Sequence, residues 1–332
     1  MSHMTYLEAA VVGLVQGVTE LFPVSSLGHN VLIPALIGGS WASDLNVAKP
    51  ESPYLAFIVG LHVATALALL IYFWRDWTRI IGGFLSSIRD RRVETRDQRL
   101  AWMIILATIP VGIVGLVAEH PFRVIFGKPI AAAIFLMVNG VILYCGEKFR
   151  PRASVQADEV VIQEWDESIA RGGAGSTASA AAHAAGHQAV RQEEIALAIQ
   201  ADERLSRLGY AQAVLIGSAQ ILALLAGISR SGVTMVAGMF RGLSREDAAR
   251  FAFLLATPVI LAAGVLKIPD LLGPLGNGVR GQILLGSVLS GLGAYVSVRF
   301  LMKYFQTRTL TPFAIYCFVV GLGSVIYLGL IK

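Results

Sequence analysis

Apolar residues in this chain come in runs of about twenty, with polar residues in short bursts between them. Six runs, at 54–74, 100–118, 130–147, 248–266, 281–302 and 312–330, are bounded by charge, Pro or Gly. A helix rising about 1.5 Å per residue crosses about 30 Å of hydrocarbon in that length, so each run predicts a transmembrane helix. Two more apolar stretches, 8–39 and 210–242, are broken midway by small polar turns. Those turns are Pro23-Val24-Ser25-Ser26-Leu27-Gly28 and Gly227-Ile228-Ser229-Arg230-Ser231-Gly232. Broken backbone survives at membrane depth only when it is buried in protein or lines a watery cavity. Both stretches are therefore expected to be re-entrant helical hairpins, in an all-α polytopic membrane protein.

The loops suggest an orientation. The segment 74–99 carries Arg75, Arg79, Arg89, Arg91, Arg92, Arg96 and Arg99, which predicts a cytoplasmic loop. Counting spans from it brings the other basic loops to the same side and both termini outside. The first hairpin then enters from outside and the second from the cytoplasm. Sliding the chain by 204 positions pairs Gly13 with Gly217, Gln16 with Gln220, Ser25 with Ser229 and Gly28 with Gly232. Similar hairpins of opposite entry predict an inverted repeat, with the turns meeting near the midplane. The units expected are a first repeat at 1–149, a cytoplasmic insert at 150–209 and a second repeat at 210–332. Ala, Gly and Ser dominate 172–189, so the insert is expected to be disordered, with 191–208, rich in helix formers, extending the next membrane helix into the cytoplasm.

Composition fits this picture: 55% of residues are apolar and 15% charged, with mean hydropathy +0.65. A soluble surface needs about a quarter of the residues charged. The net charge of +5 sits in loops, and no nucleic-acid partner is implied. Cys145 and Cys317 lie in apolar runs and are expected to be reduced and buried. Glu8, Gln16 and Glu20 interrupt the first apolar stretch, so no cleavable signal peptide is expected.

The candidate chemistry lies in the two turns. Gln16 and Glu20 are four apart and share a helix face. A carboxylate at bilayer depth costs at least about 2.5 kcal/mol, which marks Glu20 as functional when Ser25, Ser26 and His29 follow it. In the second turn Arg230 lies between Ser229 and Ser231, with Gly227 and Gly232 freeing the backbone. A guanidinium fork at a helix start is an anion site in outline, and pairing with Glu20 is the plainer alternative. His62 falls within a span, where a hydrogen bond to a neighbouring helix is the expected role and a place on the cavity the alternative.

Residues 16–29, QGVTELFPVSSLGH, resemble the E/Q-G-x-T-E-x-x-P-x-S-S-T-G-H signature of bacterial undecaprenyl pyrophosphate phosphatases, the bacitracin-resistance family. Residues 227–234, GISRSGVT, are similar to that family's second signature, P-G-x-S-R-S-x-x-T. Leu27 stands where the family usually has Thr, and Ala226 where it usually has Pro. The resemblance implies a plasma-membrane enzyme that trims undecaprenyl pyrophosphate to undecaprenyl phosphate, recycling a cell-wall lipid carrier and resisting bacitracin. It implies one site built from both signatures, open to the extracytoplasmic side and dependent on a divalent cation, Mg or Ca. Carried over, Glu20 holds metal or water with Gln16 beside it, and Arg230 binds the pyrophosphate. Ser26 is a candidate nucleophile, and His29 a candidate base or leaving-group acid. Ser25, Ser229, Ser231 and Thr234 are hydroxyl donors. The partners implied are a polyprenyl pyrophosphate and the bilayer, and a homodimer stays open.

Two rivals bear weighing. The phosphatidate-phosphatase type needs a His and then an Asp soon after Ser-Arg, and residues 233–238 contain neither. A polyprenyl-phosphate flippase or transporter would share the broken-helix architecture. Such a carrier needs Arg230 but has less use for Glu20, Ser26 and His29 together.

Overall fold

A computed structural model describes residues 4–45, 53–126, 128–173, 199–273 and 278–330. Among them are helices and turns but no strand. The chain is a polytopic all-α membrane protein. Five of its described helices are long and apolar enough to cross a membrane, or six when one bent pair counts as a single span.

The first hairpin is α1 (Tyr6–Leu21) and α2 (Ser26–Ile37), followed by the short α3 (Gly39–Asp44). Thr5 starts α1 with a capping box: its hydroxyl accepts from the Glu8 N–H, and the Glu8 carboxylate accepts from the Thr5 N–H. Next come α4 (Pro53–Tyr72), α5 (Trp74–Asp90), α6 (Arg96–Phe126) and α7 (Pro129–Lys148). The segment expected as a basic loop at 74–99 is largely α5, which bends 85° from α4. Ile81 and Leu85 of α5 stay exposed at 51% and 60% while Asp76 and Ile80 are buried, as in a helix lying along a membrane interface.

The interval read as an insert is ordered at both ends. Helix α8 (Arg152–Gly173) and a helical segment at 199–206 (α9) are held to the bundle by ion pairs. Ser154 donates to the Leu243 carbonyl at 2.7 Å, and Asp158 accepts from the Arg245 N–H and guanidinium at 2.9 and 2.5 Å. Arg204 grips Asp247 through two bonds of 2.8 and 2.9 Å, and Asp202 accepts from Arg250. The expectation of disorder therefore fails at 152–173, where Asp158, read from composition as solvated, faces buried Arg245, while 199–206 is helical as its helix-forming residues predict. The Ala/Gly/Ser tract at 174–189 lies outside the described residues.

The second hairpin is α10 (Tyr210–Ser218), a 3-10 turn (Ala219–Leu224) and α11 (Arg230–Phe240). Helices α12 (Arg245–Leu272), α13 (Arg280–Thr307) and α14 (Thr311–Leu330) complete the chain. Helix α1 packs along α13 as α10 packs along α6, while α7 pairs with α14 and α4 with α12. Gly13 and Gly217 make these approaches feasible: a Cβ would strike backbone of Gly286 in α13 and of Ala107 in α6 respectively. Each expected span falls on a helix. Both cysteines are reduced, Cys317 being buried and Cys145 half-buried.

Candidate active site

Both turns are built on serine caps. Ser25 caps α2 at φ 68, a left-handed conformation uncommon for a residue with a Cβ. Its hydroxyl accepts from Gly28 N–H and from Gly227 N–H, both at 3.2 Å, so it ties its own helix to the opposite turn. Ser229 caps α11 in the same way, accepting from Gly232 N–H at 3.2 Å. Asn139 of α7 staples the turns together. Its amide donates to the Pro23 carbonyl at 3.0 Å, and its oxygen accepts from Ser229 N–H at 2.9 Å.

Between the turns Glu20 collects donors. Gln16 donates to Oε2 at 2.8 Å and Ser26 to the same oxygen at 2.5 Å, while Arg230 pairs with Oε1. The Gln16 carbonyl is in turn held by Asn30 at 2.6 Å, which fixes the amide's orientation. His62 Nε2 lies 3.3 Å from Glu20 Oε2. Its Nδ1 is 2.8 Å from the Ile58 carbonyl, which can only accept, so Nδ1 carries a proton. A second proton must therefore lie between His62 and Glu20 for their approach to be attractive. The carboxylate itself is closed off, its side chain 4% exposed, whereas Arg230 and His62 are 20% and 26% exposed and form the open side.

The residues expected from sequence thus divide. Gln16, Glu20, Ser26 and Arg230 meet in one cluster. Ser25, Ser229 and Ser231 lie at the contact between the turns, where the last two donate toward the Phe22 carbonyl at 3.5 and 3.4 Å. Thr234 is turned to its own helix, donating to the Arg230 carbonyl at 2.7 Å. His29 has both ring nitrogens engaged elsewhere, Nδ1 with the Ser25 carbonyl at 2.7 Å and Nε2 with the Tyr316 hydroxyl at 2.8 Å. The hydroxyl of Ser26 is held by Glu20, not by His29. Sequence reasoning passed over Asn30, Asn139 and Tyr316, while His62 meets a neighbouring helix, as expected, through Glu20. Their signal was polarity within apolar runs.

The cluster does not fit a resident metal ion. Both oxygens of Glu20 already face donors, one of them a guanidinium. Among the described residues, no group of three His, Cys, Asp or Glu could hold an ion.

The sequence matches the family model described as bacitracin resistance protein BacA over residues 9–323. An undecaprenyl-diphosphatase of Mycolicibacterium paratuberculosis is 58% identical over 329 residues, covering 99% of each chain. The undecaprenyl-diphosphatase of Mycobacterium avium is 57% identical with the same coverage, and undecaprenyl-diphosphatase 2 of Frankia alni is 54% identical over 97% of each chain. On this match, spanning both turns and nearly every helix, the chain belongs to the bacitracin resistance protein BacA family.

Proposed function

We propose that the chain is an undecaprenyl-diphosphatase, an integral-membrane hydrolase that cleaves the terminal phosphate from undecaprenyl pyrophosphate. The observation that carries this reading is the pairing of Glu20 with Arg230, 210 positions apart, on a carboxylate that also holds the Ser26 hydroxyl. Pyrophosphate takes Glu20's place on the Arg230 guanidinium, whose planar fork suits phosphate oxygens. Helix α11 adds the positive end of its dipole at the same turn. Charge building on the equatorial oxygens is then met by fixed donors, the main task in phosphoryl transfer. Freed from Arg230, Glu20 is the base for the group that attacks the terminal phosphorus, and Ser26 is the hydroxyl it already holds. Gln16 and Asn30 keep that carboxylate aimed. His29 orders the α2 turn through the Ser25 carbonyl.

The site is proposed to open to the extracytoplasmic side, with the hairpins related as inverted repeats. Support comes from the basic loops and from the matched serine caps. Purified protein in detergent should release inorganic phosphate from undecaprenyl pyrophosphate, where no second leaflet exists to transport into. Binding without phosphate release would favour a carrier.

A divalent cation, Mg²⁺ or Ca²⁺, is proposed to arrive on the pyrophosphate oxygens as part of the substrate, since hard cations accept phosphate oxygens readily. Chelation should then stop turnover while leaving the apo-protein's melting temperature unchanged. A marked loss of thermal stability in chelator alone would instead point to a metal resident in the fold.

A further inference from the structure

Helix α8 does more than fill the interval between the repeats. Ser154, Asp158, Val161 and Trp165 recur along one face of it at helical spacing, and the first three are buried. That face carries Trp165 against the last two turns of α13. Arg204 fixes the adjoining turn to the start of α12, donating to Glu164 at 2.6 Å and to Asp247 at 2.8 Å. Between the Trp165 ring and α13 lies a cavity of about 270 Å³.

The cavity is graded from apolar to cationic. Phe300, Lys303, Tyr304 and Thr307 share one face of α13 at spacings of three and four, and Arg308 follows them. Phe300, the farthest into the apolar span, is 50% exposed. Lys303 lies over the Trp165 ring, 5.9 Å from its centroid. Among the described residues neither Lys303 nor Arg308 has a carboxylate partner. Arg204, Arg245 and Arg250, by contrast, are each held by two carboxylates or more. Because α13 is long and apolar enough to cross a membrane, its last turn stands at headgroup level.

We propose that this cavity binds the headgroup of an anionic phospholipid from the adjoining leaflet, its phosphate on Lys303 and Arg308 and an acyl chain along Phe300. Two unpaired cations offer the phosphate charge-assisted hydrogen bonds. Trp165 and Tyr304 are amphipathic rings of the kind that favour the boundary between hydrocarbon and water. A free anion would satisfy the cations and leave Phe300 bare, and an apolar chain alone would do the reverse. Only an amphiphile matches both ends. Helix α8 thereby gains a role, as the wall that turns the end of a span into a lipid site. The inference stands whether or not the chain hydrolyses a pyrophosphate.

Native mass spectrometry of the full chain in detergent, titrated with dioleoyl phosphatidylglycerol or dioleoyl phosphatidylcholine, counts the lipids retained. Phosphatidylglycerol should occupy a tight site that phosphatidylcholine does not. Lys303→Gln/Arg308→Gln should weaken that site about thirtyfold, the usual worth of two cations facing an anionic headgroup. Both side chains are exposed, so this variant should melt at the wild-type temperature. Trp165→Ala removes the wall and should weaken the site about tenfold. Arg207→Gln/Arg241→Gln removes the same charge from exposed positions outside the cavity and should leave the site intact. Inorganic phosphate in large excess should fail to displace the lipid, and displacement would assign the cations to a free anion instead. Equal retention of both lipids, unchanged binding in Lys303→Gln/Arg308→Gln, or an equal loss in Arg207→Gln/Arg241→Gln overturns the proposal.

Discussion

The two hairpins share a scaffold and divide the chemistry. At matched positions Ser25 and Ser229 each cap a half-helix and each accept from a glycine N–H at 3.2 Å. Gly13 and Gly217 each let a helix lie against a neighbour's backbone. The differences begin beyond this frame. Where the first hairpin has Glu20 and Ser26, the second has Leu224 and Arg230. Gln16 is bonded on both sides, whereas the amide of its counterpart Gln220 is buried without a hydrogen-bond partner. Helix α1 runs unbroken to Leu21, while the second arm gives way to a 3-10 turn over Ala219–Leu224. In the Glu20 cluster the first hairpin thus supplies the carboxylate and hydroxyl, the second the cation.

The largest expected effect tests that division. Arg230→Ala should nearly abolish turnover, since a donor aimed at transition-state charge is worth about 3–4 kcal/mol, or a few hundred-fold in rate. Arg230→Lys should recover little, because a point-charge ammonium cannot replace the bidentate fork. Glu20→Gln should be comparably inactive, and the double variant little worse than either single, as befits groups acting as a unit. Steady-state phosphate release from correctly inserted protein is the measurement. Additive losses in the double variant would mean the two hairpins serve separate sites.

Next comes the backbone of the turns, where a left-handed conformation falls on different residues. The second hairpin uses Gly227 at φ 112, packed so that a Cβ would meet the Ala132 carbonyl. Gly227→Ala should therefore suffer twice, from the unfavourable φ and from the collision with backbone that cannot move aside. A loss of more than about 2 kcal/mol is expected, read as a melting temperature lower by several degrees. An alanine variant as stable as wild type would show that the α7 approach yields easily.

Much of this was legible in sequence, and the exceptions share a cause. Period and length mark out the six long helices, because hydrocarbon thickness imposes them. The paired turns announce themselves because Pro, Gly, Ser and charge stand out in an apolar run. Asn139 does not stand out in that way, since it is one amide in a span at 130–147. Its importance is a matter of what lies opposite: the Pro23 carbonyl and the Ser229 N–H, more than eighty positions away on either side. Tyr316 is the same kind of case. The insert failed for the converse reason. Asp158 and Asp202 look solvated in sequence, yet they are buried against Arg245 and Arg250. Charge composition cannot reveal partners supplied by tertiary structure.

The last expected effect concerns Ser25, where the first turn carries its positive φ on a residue that has a Cβ. At φ 68 it bears the steric cost of the left-handed region, about 1–2 kcal/mol for an L-residue. Its hydroxyl offsets that cost by accepting from Gly28 N–H in its own helix and Gly227 N–H in the other hairpin. Ser25→Ala keeps the strain and loses both bonds, leaving two buried N–H groups without that acceptor, at about 1–3 kcal/mol each. Ser25→Gly loses the same bonds but relieves the strain, so it should fall between alanine and wild type, about 1–2 kcal/mol more stable than alanine. Thermal unfolding of the three proteins in one detergent gives the order. The order wild type, glycine, alanine means that the hydroxyl and the φ are separable contributions. Alanine equal to glycine would mean that the turn relaxes out of the left-handed region once the cap is gone, and that the bridge to Gly227 is what holds Ser25 there.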